Sequence, residues 1–393
     1  MRPITKTYTI LGMKKFLGLA FIFSFIVYLL TSAGRTPYDY FTRLSDSFLQ
    51  GKLYLTQNPP WLNELIPAGP NKFYVVYPPM PAILAMPFRL IFGQLFEQQY
   101  LAQLLGAGIV ILTMCISFSI KKDKKLAIWA GFLAGFGTII WFLAATGSAW
   151  YLSQVSAAFF MSAAILESLN KKRPILIGVL LGAAYLSRIE IILSLPFFLY
   201  ILWDKNWLKN YLKMAMGLAP FIFTDFLYNF LRFGVVWDKS YILIPGVLNE
   251  SWYQNGLFSP LNIPNHLKII FLALPKFIPQ FPYIEPSWAG LAIWITTPAF
   301  IYALIANIKE KIIRFSWLSI LLISLLIFSH GTTGFSQFGY RFAVDFYPIL
   351  IFLTIKGAAK TGLKWHHYLL LTLSILVNLW GVTWINKFGW VSF

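Results

Sequence analysis

Long apolar stretches separated by short lysine-rich breaks run through this chain from end to end. Segments 15–33, 100–120, 126–145, 152–169, 174–187, 191–203, 214–232, 288–307, 315–330, 346–356 and 367–386 are apolar over most of their length. Several approach the ~20 residues that a helix needs to cross a bilayer, although those between 174 and 203 and the one at 346 are short. The breaks hold six basic clusters, at 14–15, 121–125, 171–173, 205–213, 309–314 and 356–364. Cytoplasmic loops collect Lys and Arg, so all six belong on one side of a membrane. Threading the eleven stretches as spans achieves this, with the N-terminus inside and the C-terminus outside. The pattern predicts an all-α polytopic membrane protein of about 11 transmembrane helices, one integral domain over 1–393, with long external segments at 35–98 and 234–287. Stretch 80–96 is left out of the spans because it contains Pro87 and Arg89 and would carry cluster 121–125 to the wrong side. It is expected to form an interfacial or re-entrant helix on the outer face, shaping a cavity.

Composition agrees: 58% hydrophobic and 12% charged residues with a mean hydropathy of +0.67 exclude a soluble domain, which carries roughly 25% charge. A net charge of +18 raises the question of nucleic acid. The charge is divided among short loops instead of forming one face, so helix orientation accounts for it and no nucleic-acid partner is expected. Cys115 stands alone in an apolar run, which rules out a disulfide framework. His266, His330, His366 and His367 show no metal-ligand spacing, and no metal site is expected from them. Lys14, Lys15, the apolar run 16–30 and Thr31-Ser32-Ala33 have the form of a signal peptide. With so many spans following, a retained first helix is the expectation, and cleaved or not it leaves residue 35 onward outside.

Of the 14 acidic residues, only Asp123, Glu167, Asp204 and Glu310 fall inside on this threading. The basic residues sort by type: 17 of 20 inside are Lys, whereas six of twelve outside are Arg (Arg35, Arg43, Arg89, Arg188, Arg232, Arg341). The guanidinium fork suits phosphate, while lysine suffices as a topology signal. Chemistry is therefore expected on the outer face.

Four constellations lie there. Asp39 and Asp46, seven apart and so on one helical face with Arg43 between them, are candidates for a general base on an acceptor hydroxyl; the plain alternative is a solvated amphipathic helix. Arg188 and Glu190 interrupt apolar spans, where ionisable residues mark function by default, or else form a mutual ion pair. Tyr228, Asn229 and Arg232 end the seventh stretch, with Tyr228 and Arg232 four apart on one face. Tyr340, Arg341 and Asp345 follow the ninth, with the last two spaced for an i,i+4 surface pair worth little. Arginines and carboxylates from distant segments thus share one membrane face, which suits a phosphorylated, partly apolar substrate such as a lipid-linked phosphosugar.

The order of these features resembles bacterial relatives of the dolichyl-phosphate-mannose protein mannosyltransferases, which are C-type (GT-C) membrane glycosyltransferases. The residues that carry the resemblance are a first external loop opening with Asp39, a Tyr77-Pro78-Pro79 lead into a juxtamembrane helix, Tyr228-Asn229 before Arg232-Phe233-Gly234, and Phe338-Gly339-Tyr340-Arg341-Phe342. It implies inverting transfer of a sugar from a polyprenyl-phosphate donor to a glycan, lipid or protein acceptor on the external face of a bacterial plasma membrane. Asp39 would be the base, with Asp46 the fallback, and Arg188, Arg232 and Arg341 would neutralise the leaving phosphate. Members of that superfamily often carry a second acidic residue in the next external loop. Here that loop, ATGSAWYLSQ, has none, which argues against a bound divalent metal and leaves its work to lysine and arginine. The rival readings are a transporter or flippase of lipid-linked sugars, against which stands the absence of matched broken spans in the two halves, and a membrane scaffold that binds through the aromatic-rich segment 234–287, whose aromatics more commonly form an interfacial belt.

Overall fold

A computed structural model describes residues 14–334 and 337–391 of the chain. Helical structure falls on every one of the eleven apolar stretches. The first is α1 (Lys14–Leu30), followed in the external segment by α2 (Tyr40–Leu49), the hairpin β1 (Leu65–Pro67) and β2 (Phe73–Val75), and α3 (Met80–Phe92). Next come α4 (Gln98–Ile120), α5 (Lys124–Phe136), α6 (Ile140–Thr146), α7 (Ala149–Leu169), α8 (Pro174–Tyr185), α9 (Leu195–Leu202) and α10 (Trp207–Phe233). The second external segment holds α11 (Ile263–Leu272) and a small hairpin, β3 (Lys276–Phe277) with β4 (Ile284–Glu285). The chain closes with α12 (Ile293–Thr296), α13 (Ile301–Ile305), α14 (Lys311–Phe328), α15 (Tyr347–Thr361) and α16 (Trp365–Val382).

By length and composition, five of these helical segments can cross a membrane: Gln98–Ile120, Ala149–Leu169, Trp207–Phe233, Lys311–Phe328 and Trp365–Lys387. A sixth is added if α5 and α6, which meet at a 53° bend, count as one broken span. Among the described residues the long, straight spans are thus fewer than the apolar stretches, and the difference has a local cause. Gly137, Pro196 and Pro298 stand at breaks within apolar stretches, where the helix ladder is interrupted. Stretch 80–96 forms a 13-residue helix, α3, that packs against α2.

Several basic clusters meet at one end of the bundle. Lys121 Nζ donates to the Ala359 carbonyl (3.4 Å), Lys356 Nζ to Glu310 (2.6 Å) and Lys360 Nζ to the Ile305 carbonyl (3.3 Å). At the opposite end, the C-terminus of α1 is tied to residues beyond α16: Asn386 donates to the Thr31 carbonyl (3.3 Å), while Trp141 Nε1 donates to Thr31 Oγ1 (3.0 Å). The functional loops described below belong to that second end.

Helices α8 and α10 pack with their backbones in close approach. A Cβ on Gly178 would overlap the carbonyl oxygen of Met214, and one on Gly217 would overlap that of Ile175. Where lipid and side chain are equally apolar, such close backbone approach is what holds helices together. Gly217→Val should therefore force α8 and α10 apart and cost about 1–3 kcal/mol, seen as a lower midpoint in thermal unfolding in detergent; an unchanged midpoint would contradict this contact.

Candidate active site

Segment 35–98 folds onto the end of the bundle away from the basic clusters and frames a polar cavity of about 390 Å³. Its lining includes Arg35, Asp39, Arg43, Asp46, Lys52 and Arg89. Asp39 and Asp46 are both present, as their spacing on α2 requires, but they are held differently. Asp46 accepts two hydrogen bonds from Arg89, Nε to Oδ1 at 2.8 Å and Nη2 to Oδ2 at 2.5 Å, and a third from Gln94 at 3.1 Å. Arg89 itself is buried and also donates to the Phe96 carbonyl at 3.0 Å. This pair staples α2 to α3, and both carboxylate oxygens are engaged.

Asp39 stands at the N-cap of α2. Its Oδ1 accepts from Arg43 Nε at 2.6 Å, whereas Oδ2 has only Arg35 at 3.6 Å, from a side chain that is 62% exposed. One oxygen is thus free to take a proton, at a helix N-terminus whose dipole favours negative charge. The residues on either side of Asp39 reach a second cluster. Tyr38 packs on Trp150, ring centroids 4.6 Å apart, and the Tyr40 hydroxyl accepts the Glu64 N–H at 3.0 Å.

Glu64 is the acidic residue that sequence reasoning missed. Its carboxylate accepts from Trp150 Nε1 at 2.9 Å and from the Tyr241 hydroxyl at 3.3 Å. Burial raises its pKa from 4.5 to about 7, against the opposing pull of the Trp150 hydrogen bond, the Arg341 charge and the Tyr241 hydroxyl. Nothing in the local string NPPWLNELIP marks it, because its partners come from α7, the 234–287 segment and the 341–345 turn.

The remaining candidates divide. Arg188 donates to Asp345, Nη2 to Oδ2 at 2.8 Å and Nε to Oδ1 at 3.3 Å, and also pairs with Glu190. The alternative of an Arg341–Asp345 surface pair does not hold: residues 341–345 form a 3₁₀ turn, Asp345 is fully buried, and its partner is Arg188. Arg341 is buried, stacks on Phe342 at 4.6 Å, and has no carboxylate within 4.0 Å among the described residues; its Nε finds no acceptor there. Tyr340 bonds His266 Nδ1 at 2.6 Å, while His266 Nε2 meets the His330 carbonyl at 2.9 Å. The carbonyl requires the proton on Nε2, so the Tyr340 hydroxyl donates to Nδ1, and burial keeps His266 neutral by lowering its pKa.

Glu64, Arg188, Glu190, Tyr340, Arg341 and Asp345 do not line the polar cavity beside Asp39, and Tyr228, Asn229 and Arg232 form a third group that also lies outside it. The Arg232 guanidinium lies 3.7 Å over the Tyr228 ring and donates to the carbonyls of Tyr228 (3.2 Å) and Val75 (2.7 Å) and to Asn229 (2.9 Å). It fastens the β1–β2 hairpin to the end of α10. The structure thus does not bring Arg232 together with Arg188 and Arg341. No group of three or more His, Cys, Asp or Glu residues able to hold a metal ion occurs among the described residues.

The chain as a whole superposes on ArnT from Cupriavidus metallidurans bound to undecaprenyl phosphate, with a TM-score of 0.56 and 13% identity over 92% of this chain and 63% of that one. The apo state of the same ArnT gives a TM-score of 0.53 at 14% identity, over 90% of this chain and 61% of that one. The likeness is one of fold: the chain has an ArnT-like, mostly helical membrane-protein fold. The chain spans less than two thirds of the ArnT length. No family model and no curated protein matches it.

The raised pKa of Glu64 has a sign that can be checked. A carboxyl that titrates higher folded than unfolded loses stability as pH rises from the unfolded value of 4.5 to about 7, and the loss is complete above that. Glu64→Gln is neutral throughout, so its thermal midpoint should gain on that of the unsubstituted protein across this window and run parallel to it on either side.

Proposed function

We propose that the protein is a glycosyltransferase that moves a sugar from a polyprenyl-phosphate donor to an acceptor hydroxyl at the outer face of the membrane. The carrying observation is the Asp39 carboxylate, which lines a polar cavity with one oxygen hydrogen-bonded by Arg43 and the other facing the exposed Arg35 at 3.6 Å. Asp39 Oδ2 accepts the proton of the acceptor hydroxyl, whose oxygen attacks the anomeric carbon from the face opposite the phosphate. The bond to phosphate breaks with its electron pair leaving on the phosphate oxygen, and the configuration inverts. Asp46 does not share this role, because Arg89 occupies both of its oxygens.

Negative charge grows on the departing phosphate, and a cation held in place for it lowers the barrier. Among the arginines suggested by sequence, Arg188 already faces two carboxylates and Arg232 faces carbonyls. Arg341 is the one with no direct carboxylate partner among the described residues, Glu64 acting on it only at longer range. A buried guanidinium without a directly paired counter-anion is costly, and a phosphate matches it. The likeness in fold to a protein crystallised with undecaprenyl phosphate supports the same class of donor. Tyr38 packs on Trp150, which bonds Glu64, and the Tyr40 hydroxyl accepts the Glu64 N–H, so the turn carrying Asp39 is joined to the group around Arg341, although Arg341 does not itself line the cavity beside Asp39.

Two measurements test this reading. Purified protein in nanodiscs, given a panel of undecaprenyl-phosphate-linked sugars, should release undecaprenyl phosphate, detected by mass spectrometry, and Asp39→Asn should slow that release by about 10²–10⁴-fold while remaining folded. Full activity in that variant removes Asp39 from the mechanism. Arg341→Met should weaken binding of undecaprenyl phosphate itself about tenfold or more, a loss of at least ~1.4 kcal/mol; unchanged binding places the phosphate elsewhere.

A further inference from the structure

An aspartate at a helix N-cap ordinarily spends its side chain on the helix, accepting the N–H of the second or third residue. Asp39 does not: α2 has no side-chain cap from its own N-cap residue, although Asp39 stands in place to provide one. The N–H of Phe41, second in the helix, is taken instead by Gln98 Oε1 at 2.9 Å. The Gln98 amide nitrogen donates its two protons to the carbonyls of Tyr38 (3.0 Å) and Gly147 (2.8 Å). The amide therefore grips the backbone just before and just after Asp39, and the reverse orientation would set its oxygen against two carbonyls.

The sequence around this contact is built for it. Gln98 is the first residue of α4, is 1% exposed, and has all its hydrogen-bonding capacity toward these three groups. Gly147 is left-handed, at φ +64°, and a Cβ there would lie 2.5 Å from Gln99 Cα, so only glycine lets the α6–α7 turn come this close. The Tyr38 carbonyl accepts a second bond from the Ala149 N–H at 3.2 Å. Three segments that are distant in sequence thus converge on one buried amide.

We propose that Gln98 is a positioning residue for Asp39: it caps α2 in the aspartate's place and so leaves the carboxylate turned into the cavity. Without it, the Phe41 N–H is a buried donor that has lost its acceptor, and the side chain that an N-cap position offers to such a donor is that of Asp39. The carboxylate would then turn onto the helix end and away from the cavity. Gln98 touches neither substrate nor reacting atoms; it acts by removing a competing use for the base. The proposal rests on Asp39 being the base.

The test uses full-length protein in nanodiscs with the undecaprenyl-phosphate sugar that the unsubstituted protein turns over. Gln98→Met, close in volume but without hydrogen-bonding groups at the amide, should lower kcat about 10- to 100-fold with donor KM little changed. A carboxylate that caps a helix is held in its charged form, so the acidic limb of the kcat profile should move to lower pH. A cryo-EM map of the variant should show the Asp39 carboxylate within hydrogen-bond reach of the Phe41 nitrogen. Gln98→Glu keeps an acceptor for Phe41 but sets its second oxygen against the Tyr38 and Gly147 carbonyls, so it should lower thermal stability while leaving the acidic limb of its remaining activity unmoved; it also serves if the methionine variant does not insert. Loss of activity in Gln98→Met without movement of the limb or of the carboxylate, or a limb moved equally in both variants, overturns the proposal. Asp39→Asn run in parallel separates the two ideas. If it is inactive while Gln98→Met behaves as unsubstituted, only the positioning role fails; if it is active, the base assignment fails first.

Discussion

A charge taken out of water must meet an opposite charge or a full set of hydrogen bonds, and the outer end of this bundle is arranged around that requirement. Arg89 meets Asp46, Arg188 meets Asp345 and Glu190, and Arg232 meets two carbonyls and Asn229. Each pairing ties one segment to another: α3 to α2, the 188–190 turn to the 341–345 turn, and the end of α10 to the first hairpin. The polar residues that look like a site from sequence therefore do two kinds of work. Those that are matched hold loops onto the helices, and those left partly unmatched, Asp39 and Arg341, are the ones the proposed reaction draws on.

That division explains how a loop can hold a base precisely enough for chemistry. The turn carrying Asp39 is fixed through its backbone by Gln98 and Ala149, and through its neighbours by Trp150 and Glu64. The carboxylate itself bears little of this structural load. Rigid support beneath an uncommitted functional group is how a site keeps reactive atoms in register without neutralising them. Below it, close backbone contact between α8 and α10 and the tie between α1 and the end of α16 keep the helices from drifting laterally.

Much of this was legible in the chain. The period of apolar runs and lysine clusters places every helical stretch, because the bilayer imposes the same length and polarity on each span wherever it packs. The number of full-length spans was less legible. Breaks at Gly137, Pro196 and Pro298 shorten helices in ways that hydropathy averages over. The interfacial character expected of 80–96 followed from charge, but that Arg89 is the clasp on Asp46 did not.

The site divides along the same line. Asp39, Asp46 and the outer arginines were visible because charge in an apolar chain is conspicuous wherever it falls. Their pairing was not: local spacing put Arg341 with Asp345, whereas Arg188, 157 residues earlier, holds that carboxylate. Glu64 and Gln98 escaped notice because their importance comes from partners that are remote in sequence, and a lone Glu in a proline-rich loop or a Gln opening a helix carries no signal of its own. The sequence by itself determined which apolar stretches are helical, since apolar content adds residue by residue along the chain. Only the tertiary structure decided which charges are spent on each other and which remain for chemistry, because hydrogen bonds and ion pairs depend on distances of a few ångströms between segments that packing alone brings together.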